Sequence, residues 1–224
     1  MQSKYNIEAV VFDVDGTLYP NYKMYIISVL FFMLHPLLAP SFRRMRKKIR
    51  KIEHTGNFRE LQANLLAQEM HIPPEKAEYL LEKYIYGQFI SMFRWIKPYR
   101  ILEEVLSEFK IKKIKLGIIS DFPVKEKLSF LGLDNYWDEV CSADELGILK
   151  PGKKAFDVMA DRLGITPEKI IYVGNHYLYD IMGANNAGML SAHFSRFRKK
   201  NSAADFTFFN YRKLKTIVLD SVNI

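Results

Sequence analysis

The chain has 224 residues, 49% hydrophobic and 26% charged, with a formal net charge of +8. That length suits one sizeable globular domain, or a core carrying a smaller lobe. The single cysteine, Cys141, excludes an internal disulfide and favours a reducing, cytoplasmic setting; at the end of an apolar run it reads as a buried thiol rather than a nucleophile.

The N-terminal stretch MQSKYNIEAVVFDVDG has a short apolar run interrupted by acids, so no signal peptide is expected. Within it, Glu8–Phe12 is rich in β-branched residues and reads as a buried strand ending at Asp13. From Pro20 to about Lys97 the pattern is helical, with Phe58, Leu61, Leu65 and Leu66 at helix spacing and Pro73-Pro74 opening another helix. Met24–Pro40 is almost wholly apolar and flanked by basic residues. Three readings compete for it: a buried helix, which is preferred, an interfacial helix, and a transmembrane helix for which it is slightly short. The run Arg43–Lys51 (RRMRKKIRK) reads as a solvated helix face. No nucleic-acid motif accompanies it, so no nucleic-acid partner is expected, whereas an anionic substrate fits the positive field.

After Pro98 strands alternate with helices. Helix Ile101–Phe109 precedes strand Lys115–Ile119, helix Lys125–Leu131 precedes strand Glu139–Ser142, and helix Lys153–Leu163 precedes strand Ile170–Val173. Helix Asp180–Ala187 leads to strand Leu190–Phe194, and strand Asp205–Phe208 with helix Tyr211–Leu219 closes the chain. This alternation predicts an α/β fold with a parallel sheet covered on both faces. The expected organisation is an α/β core from residues 1–19 and 99–224, with an all-α helical lobe, 20–98, inserted after the first strand.

The segment VVFDVDGTLYP places Asp13 and Asp15 two residues apart just past a strand, with Gly16 allowing a tight turn. Residues i and i+2 of an extended segment point the same way, so both carboxylates can face one pocket. Paired carboxylates suit binding of a hard cation and the division of nucleophile from general acid.

Four segments in order then resemble the haloacid dehalogenase superfamily of hydrolases: DVDGTL (Asp13–Leu18), the strand-ending Ser120, Lys150 in GILKP, and Gly174-Asn175-His176-Tyr177-Leu178-Tyr179-Asp180. The helical lobe between the first and second resembles that family's cap over a Rossmann-like core. The resemblance implies that Asp13 is a nucleophile giving an aspartyl-phosphate. It implies that Asp15 is general acid and then base, its backbone carbonyl also ligating Mg²⁺. Thr17 and Ser120 would hold the phosphoryl group, with Lys150 neutralising charge on it and on Asp13. Asp15 favours phosphoryl transfer over dehalogenation, because an alkoxide needs a proton to leave and a halide does not.

The fourth segment departs from the family's GDxxxxD pattern, since Asn175 stands where an acid is expected. An amide oxygen is still a hard ligand, so the expected metal set is Asp13, Asp15, Asn175 and Asp180, with Asn175 preferred as direct Mg²⁺ ligand and Asp180 as support. The implied activity is Mg²⁺-dependent hydrolysis of a small phosphomonoester. The alternatives are a phosphomutase and a weakly active or regulatory protein on a membrane surface. Tyr19, Tyr22 and Tyr25, near the expected hinge, could face the entrance to the site, though packing of the helical lobe is the preferred reading for most of them; Tyr84, Tyr86, Phe89, Phe93 and Trp95 read mainly as packing of that lobe. Arg43, Arg44, Arg46, Lys47 and Lys48 are candidates for a second anionic group.

Overall fold

A computed structural model describes residues 5–52, 56–197 and 201–221. Its frame is a six-stranded, wholly parallel sheet of order β3-β2-β1-β4-β5-β6. The strands are β1 (Ala9–Phe12), β2 (Lys115–Ser120), β3 (Glu139–Ser142), β4 (Ile170–Gly174), β5 (Leu190–Phe194) and β6 (Phe206–Phe208). Strands β1 and β4 are buried along their whole length, which is why they read as continuous apolar runs rather than as alternation.

The helices of the sheet region follow the sequence expectation closely. They are α5 (Leu102–Ile111), α6 (Lys125–Leu131), α7 (Ala143–Leu146), α8 (Lys153–Leu163), α9 (Met182–Asn186) and α10 (Tyr211–Leu219). One apolar cluster joins Val10, Phe12, Leu102, Leu106, Phe109 and Leu214 on one face of the sheet. Another joins Val11, Phe156, Met159, Tyr172 and Ala184. The helix expected at Asp180–Ala187 is split: a π-helical turn, Tyr177–Ile181, precedes α9. Such wide turns are rare and mark places where the chain is bent to a purpose.

Between β1 and α5 lie α1 (Asn21–Leu34), α2 (Leu38–Ile49), α3 (Phe58–Met70) and α4 (Pro74–Leu80), continued by a π-helical stretch to Phe89 and a short 3₁₀ turn, Met92–Trp95. Asn57 caps α3, its side-chain oxygen accepting from the amides of Arg59 and Glu60. Met45, Ile49, Leu66, Ala77, Leu81 and Ile85 form a separate apolar cluster here.

Three expectations for this region fail. The preferred buried-helix reading of Met24–Pro40 does not hold, because in α1 only Ile27 and Phe31 are buried. Tyr22, Tyr25, Ile26, Val29, Leu30, Met33 and Leu34 are 51–75% exposed, and their spacing makes one continuous outward stripe. Tyr22 and Trp95 are likewise exposed rather than packed, and Tyr25, also exposed, borders the cleft described below. The basic run is not simply solvated either, since the helical period turns Arg46 and Arg50 inward while Arg43, Arg44, Lys47 and Lys48 stay exposed. Among the described residues no single helix is long and apolar enough to cross a membrane; only α1 and α2 taken together reach that length and apolarity, and they are bent by 118° at the break between them.

Phe156 on α8 is fully buried and meets the Tyr172 ring edge-on, with centroids 5.0 Å apart. Phe156→Ala should lower stability by about 3–5 kcal/mol. Urea denaturation checks this; a loss below about 1 kcal/mol would mean that α8 is not packed on the sheet as described.

Candidate active site

The carboxyl ends of β2, β1 and β4 lie side by side, because Phe12 pairs with both Ile118 and Val173. Residues immediately beyond those strands therefore share one edge, where open parallel sheets bind their ligands. Asp13 follows β1, and its amide donates to the carbonyl of Val173 at 2.9 Å. Ser120 ends β2, and Asn175 follows β4. The cleft at this edge is lined by Asp13, Asp15, Asp121, Lys150, Asn175 and Asp180.

At its centre the ammonium of Lys150 donates to Asp13 Oδ1 and Asp180 Oδ1, at 2.7 Å each, and to the Tyr172 hydroxyl at 2.9 Å. Asp13, Lys150 and Asp180 are all buried. Burial opposes the charge on Lys150, but Asp13 and Asp180 together hold it well above the usual lysine range. Burial pushes Asp13 up to about 7, with Lys150 opposing and Asp180 and Asp15 adding to the rise. Tyr172 is pushed well above the usual phenol range by the same burial and so stays neutral. Thr17 is fully buried and its hydroxyl donates to Asp13 Oδ2 at 3.0 Å. Asp13 thus carries one fixed donor on each oxygen.

Asp15 is held from the other side. Lys127 donates to both of its oxygens, at 2.8 and 2.9 Å, and the Tyr19 hydroxyl donates to Oδ1 at 2.5 Å. Asp121 is the hub for the helical region. Arg50 donates to its Oδ2 and Arg46 to its carbonyl, each at 2.5 Å, while Oδ1 accepts from the Lys150 amide at 2.9 Å. Although burial opposes it, the charges of Arg50, Lys150 and Arg46 keep the Asp121 carboxyl below its usual range. Arg50 also stacks 4.1 Å from the Tyr179 ring centre, and its Nη1 is buried with no hydrogen-bond partner among the described residues.

Asp180 has both oxygens engaged, Oδ1 by Lys150 and Oδ2 by the His176 amide at 2.8 Å. Gly174 is required for this approach, because a Cβ there would lie 2.3 Å from the Asp180 Cβ. Asn175 faces the cleft, its side-chain amide 2.3 Å from the place a Cβ on Gly16 would take; Gly16 itself has φ +86. The backbone carbonyl of Asn175 is paired with His193 Nε2 at 3.2 Å. Among the described residues no three His, Cys, Asp or Glu side chains form a metal-ligating group. The oxygens that share the cleft, from Asp13, Asp15, Asp121, Asn175 and Asp180, are hard donors in a site rich in buried carboxylate, which is the chemistry a small divalent cation fits.

The structure brings Asp13, Asp15, Lys150, Asn175 and Asp180 to one cleft. Thr17 points at Asp13, and Ser120 is buried with its Oγ accepting from the Phe122 amide at 3.2 Å. Arg50, Lys127 and Asp121 were not singled out for the site by sequence, and Tyr19 was named only as a residue that could face the entrance. Arg50 ends the basic run and Tyr19 lies four residues past Asp15, but Lys127 is 112 residues from Asp15 and no local pattern marks it.

Comparison with known proteins assigns the chain to a family. The family described as haloacid dehalogenase-like hydrolase matches residues 10–194. A glyceraldehyde 3-phosphate phosphatase of Methanopyrus kandleri is 32% identical over 204 residues, covering 85% of this chain and 84% of its own. The pyrophosphatase PpaX of Bacillus cereus is 28% identical over 189 residues, covering 83% and 82%. The crystal structure of a phosphatase from Thermococcus onnurineus superposes with a TM-score of 0.65 at 22% identity, over 97% of this chain and all of that one. With phosphatases among its relatives, and with Asp13, Lys150 and Asp180 joined at the edge of a parallel sheet, the chain belongs to the haloacid dehalogenase-like hydrolase family.

Proposed function

We propose that this protein is a phosphatase that hydrolyses a phosphomonoester through an aspartyl-phosphate on Asp13, with a divalent cation, Mg²⁺, bound at the cleft. The observation that carries the reading is the buried Lys150 bridge between Asp13 and Asp180. It fixes one oxygen of Asp13 and supplies positive charge where an incoming phosphate dianion would otherwise be repelled.

In the first step the Asp13 carboxylate attacks phosphorus, the P–O ester bond breaks, and Asp15 gives its proton to the departing oxygen. In the second, Asp15 takes a proton from water as that water attacks phosphorus, releasing phosphate and restoring Asp13. Lys127 and Tyr19 orient Asp15 for both transfers. Asp13, the Asp15 carbonyl and Asn175 would hold the cation, with Asp180 orienting Lys150 and the turn at His176. When bound, the cation would supply charge neutralisation for the phosphoryl oxygens. Arg50, bonded to Asp121, lines the cleft and adds positive charge there. The helices of residues 20–98 serve as the cap that excludes water. The names of the relatives, a glyceraldehyde 3-phosphate phosphatase and a pyrophosphatase, support small phosphorylated substrates as the class.

A second reading concerns where the enzyme works. The exposed stripe of α1 is apolar, and from Gly16 to Ile52 the chain has no Asp or Glu while carrying Lys23 and the run Arg43–Lys51. An apolar helix face in an acid-free, basic segment suits an anionic lipid surface, with α1 lying in the interface rather than spanning it.

Asp13→Asn should lower kcat/KM for phosphate release by at least about a thousandfold. Undiminished activity in that variant would overturn the mechanism. Asn175→Asp adds a charge to the cation's surroundings and should lower the Mg²⁺ concentration for half-activation about tenfold; no change there, with activity abolished by Asp180→Asn, would make Asp180 the ligand instead. The protein should co-sediment at low salt with vesicles containing phosphatidylglycerol, and Leu30→Glu with Met33→Glu should release it. Failure of the unaltered protein to bind, or burial of the stripe in a dimer seen by light scattering, would remove the lipid reading.

A further inference from the structure

A second cavity, of about 260 Å³, adjoins the cleft: Asp15, Met24, Arg50 and Phe122 belong to the walls of both. Away from those shared residues its surface is mainly apolar, built from Phe31, Phe32, Ala39, Ile85, Phe89 and Phe93. Phe89 meets Phe31 and Phe93 edge-on, at 5.3 and 5.6 Å between centroids, so the aromatic wall is a packed surface.

The cations in this wall are largely committed. Lys127 is bonded to Asp15 while lying 4.4 Å from the Phe93 ring centre. Arg46 is bonded to the Asp121 carbonyl and lies 4.6 Å from the Phe122 ring centre. Arg50 is bonded to the Asp121 carboxylate, and Arg43 is exposed to solvent. Ser28 is the remaining polar residue of the lining. A leaving group rich in hydroxyls would lose its hydrogen bonds to water here and recover few of them.

Asp15 stands where the two cavities meet. If it protonates the departing oxygen, as the proposed function has it, the leaving group extends toward the aromatic cavity. Resting on that reading, we infer that the substrates are phosphomonoesters of apolar alcohols, alkyl or aryl, whose hydrocarbon part fills the cavity bounded by α1, α2 and the π-helical stretch. The phosphoryl group then sits in the cleft and the hydrocarbon beyond Asp15, between Phe31, Phe89 and Phe93.

The test separates binding from turnover. Titration calorimetry measures Kd for methyl-, butyl- and octylphosphonate, which cannot be hydrolysed at the P–C bond, and phosphate release gives kcat/KM for the matching monoalkyl phosphates and for glycerol 3-phosphate. Kd is expected to fall about threefold per methylene over the first carbons, with kcat/KM rising in parallel and glycerol 3-phosphate poorer than butyl phosphate. Ser28→Phe, which narrows the cavity, should flatten both series. A Kd independent of chain length while short esters are still hydrolysed would overturn the inference and leave the phosphatase reading standing. An unaltered slope in Ser28→Phe would place the hydrocarbon elsewhere and overturn it too. A Kd that falls with chain length, with phosphate released from no ester, would support the apolar cavity and remove the phosphatase reading.

Discussion

The structure of the site depends on one buried ammonium. Lys150 sits between Asp13 and Asp180 at 2.7 Å from each, almost wholly buried. Taking such a group out of water is costly, and the cost is offset only because every donor direction meets an oxygen: two carboxylates and the Tyr172 hydroxyl. The neighbouring backbone is arranged to keep it so. Gly174 leaves room for Asp180, the His176 amide fixes the second Asp180 oxygen, and Asp121 accepts from the amide of Lys150 itself. The sheet sets the spacing, since Asp13 is bonded through its backbone to Val173 at the end of the next strand.

Asp121 extends this arrangement into the helices. One of its carboxylate oxygens holds the Lys150 loop and the other holds Arg50, with Arg46 on its carbonyl. The helical region and the reaction centre are therefore tied through one side chain, and a movement of α2 would be felt at Lys150. Helix α1 serves two surfaces. Its inner residues, Phe31 among them, wall the aromatic cavity, while Tyr25, Val29 and Met33 face solvent.

What could be read from the sequence followed from local constraints. Strand positions were legible because buried parallel strands are continuous apolar runs between helices, and Asp13, Asp15, Lys150, Asn175 and Asp180 because each stands just past such a strand or in a short motif. The fate of α1 was not legible, because an apolar composition says that a helix avoids water without saying whether anything covers it. Nor were Lys127 and Asp121, whose partners Asp15 and Arg50 lie 112 and 71 residues away and are brought together only by the fold. Arg46 and Arg50 were masked by the exposed basic residues around them, and only the helical period, four residues apart, sets them on the inner side.

The central claim is that Asp13, held by Lys150, becomes covalently phosphorylated. The most direct measurement is acid quenching of the enzyme during turnover, followed by mass spectrometry of the peptide that contains Asp13. The account predicts an added phosphoryl group on Asp13, absent from the Asp13→Asn variant and before substrate is mixed in. Rapid phosphate release with no phosphoryl group on Asp13 at any quench time, or one found on another residue, would contradict it.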